Sequence, residues 1–289
     1  MLNHTAKMAR KAGFTLIEMS IVLVIIGLIV GGVLVGQSLI AAATVRSQIS
    51  QIEKYNIAVN TFREKFGFLP GDMNVQTANQ FGFLVGLLCA GQVGGRDGNG
   101  LIDGYDIAHP FLQTSGENNL FWQDLSSDVA GKLIDDHFPN GGAGPEGCNT
   151  AVALTLTPGN AYVGDYFPAA KIGNGNFIYV LDYNGANWYG LSAITQITPG
   201  GDMLSKVGLS VSQAYAIDTK TDDGVPTTGR VLAVYLNSSY TNLTNAPNTA
   251  TSGGNATSCY DTTTNNYSIT VNGGAGINCG LSFKMQAGD

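Results

Sequence analysis

From Met19 to Val45 the chain carries no charged side chain, and the run 21–35 is built only of Ile, Val, Leu and Gly. A helix of that length reaches about 40 Å, enough to cross the hydrocarbon of a bilayer. No proline interrupts the chain between Gly13 and Phe66. The pattern changes at Arg46, where charges appear. Apolar residues nevertheless return at Val45, Ile49, Ile52, Tyr55, Val59, Phe62 and Phe66, in steps of three or four. Such spacing lays one apolar stripe along a polar helix, and that stripe must pack against something. The pattern predicts one helix over 14–66, roughly 80 Å long. Its transmembrane half is 14–45, and its amphipathic half, 46–66, lies on a head formed by 67–289.

Ahead of this helix stand residues 1–13, whose only charges are Lys7, Arg10 and Lys11. Positive flanks stay in the cytoplasm, so the amino terminus is expected there and the head on the far side of the membrane. The leader ends at Gly13 and is followed by Phe14-Thr15-Leu16-Ile17-Glu18 at the head of the apolar helix. This arrangement resembles the prepilin leader of the type IV pilin and type II secretion pseudopilin family. The resemblance implies that a prepilin peptidase cuts between Gly13 and Phe14 and methylates the new amino terminus of Phe14, leaving the apolar helix on the mature protein. An ordinary secretory signal with a cut near Ala43 is the competing reading, but its apolar core runs to about 15 residues at most. A plain signal anchor accounts for the hydrophobicity and leaves Glu18 unexplained.

A carboxylate in an apolar helix is costly and usually faces a partner or marks function. Glu18 has two readings: it sits near the interface, favoured by the helix N-terminal dipole, or it pairs with the amino terminus of a neighbouring subunit. The family resemblance implies the second. Gly27, Gly31, Gly32 and Gly36 lower helix propensity in the same half and let helices approach closely in lipid. In pilin-like filaments the corresponding region is often locally unwound, and the proline that many members place near Val35 is missing here.

After the helix about 220 residues remain, which suits one elaborated head domain. The chain has 14 basic and 21 acidic residues, a net charge of −7. Loss of the three leader cations makes the mature balance more acidic still. Phosphate binding needs clustered Lys and Arg, so nucleic acid is not an expected ligand. The four cysteines, Cys89, Cys148, Cys259 and Cys279, all follow the membrane segment and form no C-x-x-C pair. Outside the cytoplasm they are expected to be oxidised. Of the three pairings, proximity favours Cys89 with Cys148 and Cys259 with Cys279.

Gly67-Phe68-Leu69-Pro70-Gly71-Asp72 ends the long helix. A short helix is expected at 75–81 and a longer one at 117–133. Strands are expected at 151–156, 176–183, 187–194 and 230–236, the last of them central, with two edge strands at 267–271 and 281–285. The stretch 237–258, rich in Asn, Thr, Ser and Gly, reads as a surface loop. Two segments have the chemistry of a calcium site. In the glycine-rich loop 94–106, Asp97, Asn99 and Asp103 offer oxygens, although the spacing is not that of an EF-hand. At 218–229, Asp218, Asp222 and Asp223 follow a helix carrying Val211, Ala214, Tyr215 and Ile217, in a run similar to one in the heads of some pilin-like and pseudopilin proteins. Asx turns account for both segments without a metal.

No P-loop, G-x-S-x-G or H-E-x-x-H motif is present, and the only histidines are His4, His109 and His137, so no enzyme is expected. The expected fold class is α+β and pilin-like: a long N-terminal helix packed on an antiparallel sheet with loop insertions. The resemblance of the leader implies a pilin-like subunit. The acidic head with its candidate calcium loops resembles those of type II secretion pseudopilins, which makes a pseudopilus subunit the expected function. The alternatives are a minor or competence type IV pilin, or a secreted binding protein or enzyme cut near Ala43. Its expected partners are copies of itself, sibling subunits, the peptidase, an inner-membrane assembly platform and the inner membrane.

Overall fold

The structure, a computed structural model, describes residues 15–85, 96–104, 116–138, 163–197, 203–237 and 243–287. Helix α1 spans Leu16–Phe66 and is unbroken across Gly27, Gly31, Gly32 and Gly36. The chain divides into two compact units, Met1–Thr44 and Val45–Asp289. In the second unit follow α2 (Val75–Phe81), α3 (Gly116–Ser126), β1 (Asn176–Tyr183), β2 (Ala186–Ile197), β3 (Met203–Lys206), β4 (Leu209–Ser210) and α4 (Val211–Thr221). Eight short strands complete it: β5 (Val231–Leu232), β6 (Val234–Leu236), β7 (Leu243–Asn245), β8 (Asn248–Thr249), β9 (Tyr260–Asp261), β10 (Asn266–Tyr267), β11 (Ile277–Cys279) and β12 (Leu281–Lys284).

The main sheet is antiparallel, ordered β1-β2-β12-β5, with β3 paired to β2. Its first hairpin turns on Asn184 and Gly185, both at positive φ (52° and 72°). A two-residue Asn-Gly loop relieves that backbone of strain and matches the strand twist. At Gly190 on β2 a Cβ would fall 2.0 Å from the Tyr179 ring, so the strand needs a residue without a side chain there. On β1, Ile178, Tyr179, Val180 and Leu181 are all fully buried, so both faces of the strand are covered.

Within Val45–Phe66 the expected stripe is what the head covers: Val45, Ile52, Tyr55, Val59, Phe62 and Phe66 are buried and Ile49 packs against them. Burying a large apolar side chain contributes about 1.5–3 kcal/mol, so six of them dominate this contact. Tyr55 meets the edge of Trp122 at 4.8 Å between ring centres, and Phe62 lies 5.4 Å from Phe83. Polar residues of the same helix fix its register. Gln51 donates to the Ala169 carbonyl (3.0 Å) and accepts from Lys171 N–H (3.0 Å). Gln48 accepts from Ile172 N–H and Asn56 from Gln286 N–H, each at 3.1 Å.

Several expectations are corrected. Helix α3 stops at Ser126 rather than Leu133, because Ser127 donates its hydroxyl to the Asp124 carbonyl and Gly131 and Lys132 adopt positive φ. The strand expected over 230–236 is broken. Ala233 N–H bonds to Pro226 and its carbonyl to Ala246, which splits the segment into β5, at the sheet edge rather than its centre, and β6, which pairs with β7. Strand β12, expected at an edge, lies between β2 and β5. In the segment 267–271 only Tyr267 is strand, as part of β10. The presumed loop 237–258 contributes β7 and β8 and buries Ala246 fully. Cys259 and Cys279 are disulfide-bonded. Gly13, Phe14, Cys89, Cys148 and the strand expected at 151–156 lie outside the described residues.

Candidate functional site

Thr15 stands just before α1, and its backbone N–H and hydroxyl both donate to one carboxylate oxygen of Glu18, at 2.7 and 2.8 Å. Glu18 N–H in turn donates to the Thr15 hydroxyl at 3.3 Å. This reciprocal pairing satisfies donors that a helix start leaves open, and it fixes the carboxylate at the first turn of the apolar helix. In the same apolar half of α1, Leu16 is 90 % exposed and Leu28 73 %. Among the described residues this is the one helix long and apolar enough to cross a membrane, with a mean hydropathy of 2.8 in its most apolar window. A carboxylate at the entry of such a helix, with lipid or other helices as its surroundings, needs a positive partner to stay charged once the helix is enclosed.

Residues 8–34 match the prokaryotic N-terminal methylation motif. The chain carries the type IV pilin and pseudopilin signature. No curated protein and no solved structure matches it. Proteins with this signature are structural rather than enzymatic, and the signature implies processing by a prepilin peptidase and assembly with other pilins. The long helix followed by an antiparallel head agrees with a pilin-like α+β fold, and the apolar helix fits a membrane-anchored pilin.

Among the described residues of the head, carboxylates gather in two groups. In the first, oxygens of Asp72, Asp97 and Glu117 lie within 4.8 Å of one another. The turn after α1 supplies Asp72, the strap 96–104 supplies Asp97, and the first turn of α3 supplies Glu117. Buried Glu117 accepts from Asp97 N–H at 3.0 Å and from Asp103 N–H at 3.4 Å, while Asp72, also buried, accepts from Gly100 N–H at 3.2 Å. The Asp103 carbonyl receives Glu117 N–H and Asn118 N–H at 3.0 and 3.1 Å, which caps α3. Next to the group, Arg96 is locked to Asp124 by two bonds of 2.6 and 2.8 Å, so its charge is committed elsewhere.

Among the described residues no cation pairs with the group, so negative charge is crowded there. Burial first, then Asp72 and the other acids, pushes Glu117 up to about 9. Burial likewise raises Asp72 to about 6 and Asp103 to about 6, Asp103 being raised further by Asp97 and Asp182. Of the expected trio, Asp97 enters the group. Asn99 turns its amide to Asp97 (2.8 Å) and its oxygen to Leu101 N–H (2.7 Å), and Asp103 contributes its backbone and a flanking charge. Asp72 and Glu117 were missed. They stand 45 residues apart, and no local spacing connects them.

The second group is Asp218, Asp222 and Asp223 at the end of α4, also within 4.8 Å. Helix α4 starts with a full capping box between Ser210 and Gln213. Here each carboxylate is already engaged by hydrogen-bond donors. Asp218 accepts from the Tyr267 hydroxyl (2.8 Å) and Gly224 N–H (3.2 Å), Asp222 from the N–H groups of Arg230 and Val231, and Asp223 from Val225 N–H (2.8 Å) and the Thr228 hydroxyl (2.7 Å). Burial raises Asp218 to about 6. Only the Asp223 bond to Val225 N–H is an Asx turn; Asp222 reaches forward to the start of β5 and Asp218 across to Tyr267 on β10. The donor oxygens are nonetheless the hard ligands that calcium takes.

Proposed function

We propose that the chain is a subunit of a type II secretion pseudopilus. It is made as a precursor with its amino terminus in the cytoplasm and its head in the periplasm, and it is cut between Gly13 and Phe14. After methylation of Phe14 it is drawn from the inner membrane by an assembly platform into a filament with copies of itself or sibling subunits. The observation that carries this reading is the methylation motif at residues 8–34 at the start of a helix long and apolar enough to cross a membrane. In the filament, Glu18 gives up its local bonds to Thr15, or shares them, to neutralise the amino terminus of the next copy.

Deleting the gene tests the choice between secretion and surface pili. Secreted enzymes should accumulate in the periplasm while surface filaments and twitching are unchanged. Loss of surface filaments or of DNA uptake with secretion intact would instead assign the chain to a type IV pilus.

The acidic head adds a calcium site to this reading. The group of Asp72, Asp97 and Glu117 fits it better than Asp218, Asp222 and Asp223, because two of its carboxylates are almost fully buried and no cation among the described residues pairs with them. A divalent ion there replaces the proton that Glu117 otherwise holds. With calcium at a hundred times its Kd, the folded head should gain about 2.7 kcal/mol. That is a rise of roughly 5–10 °C in midpoint for a unit of this size. Melting of the purified chain in detergent, with calcium and with chelator, measures it, and Glu117→Gln should remove the difference. Equal midpoints in both conditions would discard the site.

A further inference from the structure

We draw no further inference here: the strongest candidate, the groove beside the second half of α1 lined by Ser50, Lys54, Ile57, Leu133, Asp135 and Lys171, carries nothing because nothing in the structure shows what covers it.

Discussion

Glu18→Gln should leave the protein in the membrane fraction and take it out of filaments. The substitution is isosteric, and its amide oxygen can still accept from Thr15 N–H and hydroxyl, as Glu18 does at 2.7 and 2.8 Å. The start of the helix and its insertion are therefore kept, and only the charge is lost. If the carboxylate neutralises the amino terminus of the next subunit, removing it strands a positive charge among apolar helices. The yield of sheared or co-purified filament should then fall on the order of tenfold or more. A role confined to capping α1 predicts the reverse pattern: Glu18→Gln assembles normally and Thr15→Val, which removes the hydroxyl, disturbs the helix start. Comparing the two variants by fractionation and filament recovery separates the roles.

The second large effect is expected at Arg96. Its side chain is fully buried and its guanidinium grips Asp124 through two bonds, while Asp124 also accepts from Gly71 N–H at 2.8 Å. The pair ties the strap 96–104 to α3 and to the turn that ends α1. Burial holds the Asp124 carboxyl above its usual range, with Arg96 acting in the opposite direction. Arg96→Met leaves that carboxylate buried without its cation, which costs about 3–5 kcal/mol. For a unit of this size the melting midpoint should drop by roughly 10 °C. Adding Asp124→Asn keeps an acceptor for Gly71 and removes the stranded charge, so the double variant should recover most of the loss. A single variant that melts within a degree or two of the parent would show that the pair does not hold the strap.

Much of α1 was legible because its signals are local. An uncharged run long enough to span lipid and a return of apolar residues every three or four positions are properties of one segment, and the structure buries that stripe from Val45 to Phe66. The Pro-Gly stop at Pro70 and Gly71 is equally local. The polar anchors Gln48, Gln51 and Asn56 were not legible, since a Gln or Asn on a charged helix face looks like a solvated residue until the backbone it meets is in place. Strand order failed for the same reason. Nothing within Leu281–Lys284 states that its neighbours are β2 and β5, and the break at Ala233 comes from bonds to Pro226 and Ala246.

The candidate site divides along the same line. The motif around Phe14 and Glu18 occupies consecutive residues and reads directly. The carboxylates of the head are assembled from the turn after α1, the strap and α3, so the glycine-rich loop revealed Asp97 but not the two partners it meets. Side chains that sequence separates are brought together by burial, and burial is what raises Glu117 to about 9.

The intact mass of the chain extracted from membranes of cells with an active prepilin peptidase tests the central claim most directly. The account predicts a polypeptide that begins at Phe14, carries one added methyl group and retains all of α1. A chain that still begins at Met1 in those cells, or one that begins near Thr44 without the apolar helix, would contradict it.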